Sequence, residues 1–244
     1  MKRSCTAILL AILVGATAAA AEDDGWRPLF NGRDLSGWKI PEGDGGHWKV
    51  IDGVIDYDAR SEAKGDKNLW TEESFGDCIL EIEWRIKEVH GLYPVPTVLP
   101  DGSLKKGPDG KPIITPTPNA DSGVFVRGHG KGQVNIWCWP IGSGEIWGYR
   151  NDSKMPAEVR AGCVPKVAAD KPVGQWNRFV ITARGDRLSV ELNGQKVIDN
   201  VRLSEMPATG PIGLQHHGGI DKKTGEHGPA SSLMQFRNIR VKPL

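Results

Sequence analysis

The sequence predicts an all-β fold, a two-sheet antiparallel β-sandwich or jelly roll. Runs of alternating apolar and polar residues, rich in β-branched and aromatic side chains, recur along the chain, whereas helical periodicity is almost absent. The 31 glycines and 17 prolines are spread without a regular period, which favours many turns. Because turns rather than crossover helices join the strands, two sheets packed face to face are expected.

The predicted strands cover, in chain order, residues 48–56, 78–87, 123–127, 134–139, 178–184, 188–192, 195–199, 212–216 and 234–241. The clearest turn signal is Asn193-Gly194, because these two residues readily adopt the positive φ angles of a two-residue hairpin turn. Gly185-Asp186 makes a similar turn one strand earlier. Residues 179–198 therefore predict a three-strand meander.

Size and charge restrict the class of protein. The 244 residues carry 31 basic and 30 acidic side chains and are 39% hydrophobic, which suits one large globular domain. With a net charge of +1, electrostatic binding of nucleic acid is not expected. No apolar run approaches the roughly 20 residues of a membrane-spanning helix, so no membrane span is expected either.

The first residues have the pattern of a secretory signal peptide. Lys2 and Arg3 precede an apolar run over residues 7–14, and small residues follow up to Ala21. We predict a cleaved signal peptide over residues 1–21 and a periplasmic or secreted protein. Residues 22–244 then form a single β-sandwich domain.

Two further features concern the predicted domain. Residues 88–118 are rich in proline and glycine and carry no core pattern, so they are interpreted as a lid or a mobile insertion. Three cysteines follow the predicted cleavage site, an odd number. Cys78 and Cys138 lie in apolar strands and are predicted to be buried free thiols.

Strand alternation separates core-facing from outward-facing residues. In the strand over residues 78–87, Glu81 and Glu83 lie opposite the apolar set. The same alternation puts side chains from four further segments on outward faces, and we predict that a curved sheet gathers them into one hollow. These side chains are Asn135, Trp137, Trp139, Gln215, His217 and Arg127.

Tryptophan and amide side chains suit a sugar ligand. The C–H face of a pyranose packs on a flat ring, while amides and carboxylates take its hydroxyl groups. Trp137 and Trp139 with Asn135 meet this requirement, although burial in a sheet interface is the alternative. For Glu81 and Glu83 the alternative is a solvated outer face.

Further candidates lie in Gly142-Ser-Gly-Glu-Ile-Trp-Gly148, where Glu145 between glycines is either part of a plain turn or a group placed over a cleft. Tyr149 and Arg150 follow directly and are added to the predicted substrate-binding set. His216 and His217 point to opposite faces of a strand, so at most one enters a given site. Whether a divalent metal is bound is left open, and no other cofactor is expected.

Several sequence blocks together resemble the 3-keto-disaccharide hydrolase domain family, also known as domain of unknown function 1080. They are Pro28-Leu-Phe-Asn-Gly-Arg-Asp-Leu-Ser-Gly-Trp38, Trp48-Lys-Val-Ile-Asp-Gly-Val-Ile55, Asn119-Ala-Asp-Ser-Gly-Val-Phe-Val-Arg127, Gly174-Gln-Trp-Asn177, Leu192-Asn-Gly194 and Phe236-Arg-Asn-Ile239. The resemblance covers nearly all of residues 26–244. It implies a concanavalin A-like jelly roll that acts on glycosides whose glucose C3 is oxidised to a ketone.

Cleavage of such glycosides needs a base near C2, a group that polarises the ketone and an acid for the leaving group. We predict His217 or Glu83 as the base, Arg127 or a bound divalent metal as the polarising group, and Glu145 as the acid. One strand departs from the family pattern Tyr-Glu-Val-Gln-Ile: this chain has Gln133-Val-Asn-Ile136, so an amide replaces a carboxylate.

Two other classes of function stay open on the sequence. The same sandwich and tryptophans suit a non-catalytic, lectin-like carbohydrate-binding domain, and a structural domain of an exported complex needs no pocket. A deep cleft with perturbed carboxyl or histidine pKa values would favour the enzyme. The sugar, its linkage and the oligomeric state are not predicted.

Overall fold

The computed structural model describes residues 24–244, so the predicted signal peptide lies outside the described residues. Two antiparallel sheets pack face to face, which confirms the predicted all-β sandwich. Within residues 24–244, no helix has the length and apolar character needed to cross a bilayer.

The larger sheet has eight strands, numbered here along the chain. Its strands, in spatial order, are β13 (Gln195–Arg202), β12 (Arg187–Leu192), β11 (Asn177–Arg184), β6 (Cys78–Ile86), β15 (Met234–Pro243), β4 (Val54–Tyr57) and β3 (Lys49–Ile51), with β1 (Arg27–Pro28) paired to β15. The predicted meander is confirmed by β11, β12 and β13. Asn193 and Gly194 have φ angles of 53° and 81°, as the hairpin turn requires.

The smaller sheet has five strands. In spatial order they are β10 (Val134–Trp137), β9 (Asp121–Phe125), β14 (Gly210–Leu214), β5 (Leu69–Phe75) and β2 (Trp38–Lys39). Sequence analysis missed β1, β2 and β5. Two short helices, α1 (Trp147–Arg150) and α2 (Ala157–Gly162), follow β10 and were also not predicted.

The core lies between the two sheets. Leu80 and Ile82 of β6 are fully buried on one side, and Val134, Ile136 and Leu214 are fully buried on the other. The alternation therefore correctly predicts which side chains of these strands face inward. Each sheet also has an outward face, and these two outward faces lie on opposite sides of the molecule.

The proline-rich insertion has regular secondary structure that the sequence analysis did not predict. It contains a two-stranded sheet of β7 (Tyr93–Pro96) and β8 (Ile114–Thr117). Val95 is buried, and a side-chain carbon added to Gly102 would lie 3.0 Å from the carbonyl oxygen of Arg160. The insertion is thus an arm that returns to pack against α2.

The described cysteines agree with the prediction of free thiols. Cys78, Cys138 and Cys163 form no disulfide. Cys78 and Cys163 are buried, whereas Cys138 is partly exposed, so the prediction that Cys138 is buried is wrong.

Candidate active site

A pocket of about 590 Å³ lies on the outward face of the smaller sheet. It is lined by Tyr93, Asp121, Gly130, Lys131, Gln133, Asn135, Trp137, Trp139, Trp147, Gly148, Gln215 and His217. Of the predicted site residues, the structure brings together Asn135, Trp137, Trp139, Gln215 and His217.

Strand register explains why these side chains meet. Asn135 on β10 pairs with Gly123 on β9, and Trp137 pairs with Asp121. The backbone N–H of Gln215 donates to the backbone carbonyl of Gly123 at 2.9 Å, so the pairing of β14 with β9 continues past Leu214. Because residues two apart on a strand share a face, His217 comes next to the Trp137–Asp121 pair.

Two stacked tryptophans form one wall of the pocket. The ring centroids of Trp137 and Trp139 are 4.0 Å apart, with an interplanar angle of 5°. The indole N–H of Trp137 donates to the carbonyl of Gly142 at 2.8 Å. Trp137 is buried and Trp139 is partly exposed, so the fixed ring of Trp139 supplies a flat apolar surface of the kind that binds the C–H face of a sugar.

Amide side chains cover the floor. Gln133 Nε2 donates to Gln215 Oε1 and to the carbonyl of Ser122. With its Oε1 so engaged, Gln215 has its Nε2 hydrogens free to donate into the pocket. Asn135 also lines the pocket, so the floor carries more than one neutral amide side chain that could donate to a sugar oxygen.

His217 is held in one tautomer. Its Nδ1 lies 2.7 Å from the carbonyl oxygen of Ala230, which can only accept, so Nδ1 carries the proton and Nε2 carries the lone pair. Its backbone amide donates to Ser232 Oγ at 2.7 Å. The Ser232 hydroxyl in turn donates to the carbonyl of Asp121 at 2.6 Å, which ties the two pocket segments together.

Asp121 is the pocket's carboxylate, and it was missed in the sequence analysis. Burial raises its pKa from the ordinary value of 3.8 to about 6, while nearby His217 acts in the opposite direction. An acid with such a pKa exchanges protons near neutral pH. Alternation backward from Gly123, inside the Asn119–Arg127 block that carries the family resemblance, would have placed it on this face.

Of the two adjacent histidines, His217 lines the pocket and His216 does not. His216 turns away from the pocket, and its Nδ1 lies 2.5 Å from the hydroxyl of Tyr57. Burial, together with nearby Lys67, lowers the pKa of His216 to about 4, so this ring is neutral at physiological pH.

Glu81 and Glu83 do not share the hollow with Asn135, which corrects the prediction. They lie on the outward face of the larger sheet, on the opposite side of the sandwich. Glu81 pairs with Arg178 and Arg240, and Glu83 pairs with Arg237 at 2.7 Å. Alternation identifies an outward residue but does not say which of the two outward faces it joins.

Arg127 is also outside the pocket. It follows β9 with a φ of 54°, so the strand alternation ends before it. Its side chain is buried and donates to the carbonyls of Gly76, Gly185 and Pro207 and to Asp77 Oδ1. It therefore closes one end of the sandwich and is not placed to polarise a substrate.

Glu145, Tyr149 and Arg150 lie behind the wall of the pocket. Glu145 and Arg150 are buried, and Glu145 Oε1 lies 2.5 Å from Arg150 Nε. The Tyr149 hydroxyl lies 2.8 Å from His129 Nε2. Burial raises the pKa values of both Glu145 and Tyr149. These three residues support the segment that carries Trp147 and Gly148 and do not line the pocket.

Three further lining residues come from segments whose sequences show no strand periodicity, which is why sequence analysis missed them. Tyr93 comes from the insertion, Lys131 from a single 3-10 turn and Trp147 from α1. Lys131 is held by Asp152 at 2.8 Å and Glu205 at 2.9 Å. These three residues come together only because of the tertiary arrangement of the loops that carry them.

Among residues 24–244, no group of three or more histidine, cysteine or acidic side chains is placed to hold a metal ion. In the pocket, Asp121 and His217 are the ligand-type side chains.

A family model described as the 3-keto-alpha-glucoside-1,2-lyase-like domain matches residues 25–242. The chain belongs to this family. The match spans both sheets and every residue of the pocket, and it confirms the resemblance seen in the sequence blocks. Membership of this family supports a carbohydrate-processing role for the chain.

The chain is also similar to solved structures. It is similar to a putative glycosyl hydrolase from Parabacteroides distasonis, with 19% identity, coverage of 90% of this chain and 94% of that chain, and a TM-score of 0.51. A second putative glycosyl hydrolase from the same organism has 21% identity, coverage of 90% and 99%, and a TM-score of 0.47. No curated protein sequence matches the chain.

Proposed function

We propose that this family member is an exported enzyme that cleaves 3-keto-glycosides, including 3-keto-disaccharides, by elimination at C1 and C2 followed by addition of water. The observation that carries the proposal is the pairing, in one pocket, of a histidine held with a free Nε2 and a carboxyl group whose pKa is raised to about 6. One is ready to accept a proton and the other to donate one.

The first step removes the C2 proton. The C3 ketone acidifies this proton, and His217 Nε2 accepts it. The electron pair moves into the C2–C3 bond as the ketone oxygen gains negative charge. Asn135 and the free Nε2 hydrogens of Gln215 donate to this oxygen, so neutral amides take the polarising role that the sequence analysis gave to Arg127.

The second step breaks the bond between C1 and the leaving oxygen. Protonated Asp121 gives its proton to that oxygen, and a C1–C2 double bond conjugated to the ketone forms. His217 is then an imidazolium beside the Asp121 carboxylate. Water is then added across the C1–C2 double bond. The water oxygen bonds to C1 while the Asp121 carboxylate takes a proton from the water, and His217 returns a proton to C2, which completes the hydrolysis.

The stacked tryptophans position the sugar. With its C–H face on the Trp137–Trp139 wall, the ring presents its substituents to the amides and to His217. A non-catalytic binding domain would use the same wall but has no need of a partly buried carboxyl group with a raised pKa. The pocket's chemistry therefore favours the enzyme over the lectin-like alternative.

The experiment compares a 3-keto-disaccharide with its non-oxidised parent, each with and without a chelator. We expect release of the leaving sugar from the oxidised substrate alone, and transient absorbance of the conjugated ketone supports elimination. Equal cleavage of both sugars, or of neither, contradicts the proposal. Loss of activity on chelation, restored by a divalent ion, would replace the amide donors with a metal as the polarising group.

A further inference from the structure

A second cleft lies on the same outward face as the pocket. It has a volume of about 390 Å³ and is lined by Lys39, Trp70, Thr71, Glu72, Ser74, Gly128 and Pro211. It shares no lining residue with the pocket, and no step of the proposed reaction uses it. Its strands, β14, β5 and β2, continue the sheet whose other strands carry the pocket.

Strand register connects the two hollows. Phe125 pairs with Gly213, Gly213 pairs with Trp70, and Trp70 pairs with Lys39. Phe125 and Gly213 lie two residues along their strands from Gly123 and Gln215 of the pocket floor, so they are on the same face of the sheet. Because neighbouring strands are about 4.8 Å apart, Trp70 is only a few strand widths from the pocket, on the same face of the sheet.

Trp70 is a fixed platform. Its ring stacks on Phe125 with centroids 5.0 Å apart and an interplanar angle of 25°, and its indole N–H donates to Asp66 Oδ2 at 2.6 Å. A side-chain carbon at Gly213 would overlap the ring, so the glycine lets the indole lie against the strand. A partly exposed, immobilised indole loses little conformational entropy when a flat ligand packs on it.

Polar groups of opposite charge surround this platform. Lys39, Glu72 and Ser74 are exposed, and in the part of the chain that the structure describes their side chains form no hydrogen bond or ion pair. One cation and one anion cancel in net charge but supply a donor and an acceptor. The chemistry suits the hydroxyl groups of a neutral pyranose rather than an ionic ligand.

We propose that Trp70 is a second sugar-binding subsite, which holds a neutral pyranose unit of the same glycan whose oxidised end occupies the pocket. The natural substrate class is then an oligosaccharide rather than a disaccharide. This inference rests on the proposed function for the oxidised end, but the binding of a sugar unit at Trp70 does not need catalysis.

The binding test uses non-oxidised sugars and NMR of the tryptophan indole N–H groups. The Trp70→Phe variant assigns the Trp70 signal and keeps an aromatic ring on Phe125. We expect maltohexaose or cellohexaose to shift the Trp70 signal, and maltose at equal concentration to leave it in place. If neither hexaose shifts it, the subsite proposal is overturned, whatever the catalytic activity.

The kinetic test compares kcat/KM for 3-keto-maltohexaose with that for 3-keto-maltose, both oxidised at the non-reducing end. Trp70→Phe and the double variant Lys39→Ala/Glu72→Ala are expected to reduce the ratio of the two values about ten-fold. Trp26→Phe, on the outward face of the other sheet, is the matched control and should leave the ratio unchanged. An unchanged ratio in both test variants counts against the subsite, whereas failure to cleave either sugar contradicts only the proposed reaction.

Discussion

The Nδ1 atom of His217 lies 2.7 Å from the carbonyl oxygen of Ala230, and this contact determines which ring nitrogen can act as a base. Since the Nδ1–H donates to the carbonyl, the lone pair on Nε2 is available to the pocket. The orientation comes from a backbone group, so it does not depend on the ionisation of a neighbouring side chain.

Replacing the proposed base tests this arrangement. His217→Gln should reduce kcat on a 3-keto-disaccharide by about 10²- to 10⁴-fold, because the proton at C2 has no other acceptor of this kind. The control is His216→Gln, which removes the neighbouring ring that contacts Tyr57. It should lower the melting temperature with little change in kcat. Equal loss of kcat in both variants would remove His217 from the scheme.

The raised pKa of Asp121 predicts a specific dependence of the free energy of unfolding on pH. Its folded pKa, about 6, is above its ordinary value of 3.8, so the folded protein binds more protons than the unfolded chain between these values. The free energy of unfolding therefore falls as the pH rises from about 4 to about 6. Asp121→Asn removes this penalty and should stabilise the protein at pH 7 by up to about 3 kcal/mol, since one pKa unit corresponds to about 1.4 kcal/mol.

The same variant should lose activity, because an amide cannot protonate the leaving group. Urea unfolding at several pH values and steady-state kinetics measure the two effects separately. A variant that is less stable than the parent at pH 7, with an unchanged pH profile of stability, would show that Asp121 is not protonated as inferred.

The tryptophan wall predicts a change in binding more than in chemistry. Trp139→Ala removes one half of the stacked pair, and we expect KM for a 3-keto-disaccharide to rise about ten-fold. Trp26→Ala is the matched control, because Trp26 contacts Arg240 on the other outward face. A normal KM in Trp139→Ala would mean that the sugar does not pack on this wall.

Strand alternation predicted much of the fold and five of the twelve residues that line the pocket. It gave the meander, the inward faces and the pocket side chains Asn135, Trp137 and His217, because these properties depend on neighbouring residues. Alternation could not show which of the two outward faces a residue joins, so Glu83 was grouped with residues on the opposite side of the sandwich. That choice depends on which sheet each strand joins, a long-range property.

The other errors arise where local periodicity stops. Arg127 has a positive φ angle directly after its strand, which turns its side chain to the end of the sandwich. Glu145 lies in a glycine-rich loop whose path determines whether a side chain faces solvent, pocket or core. Tyr93 reaches the pocket on an arm that the sequence shows only as a proline-rich insertion.

Substitutions of Glu145 and Glu83 distinguish an effect on stability from an effect on catalysis. Glu145→Ala leaves the buried guanidinium of Arg150 without its counter-ion, so we expect a loss of about 3–5 kcal/mol in the free energy of unfolding. The double variant Glu145→Leu/Arg150→Met removes both charges and should recover most of that loss.

Glu83→Ala breaks a partly exposed pair with Arg237 and should cost less than about 1 kcal/mol, with kcat unchanged. Urea unfolding and kinetics on folded protein measure both, and a large fall in kcat for Glu83→Ala at full stability would return Glu83 to the catalytic scheme.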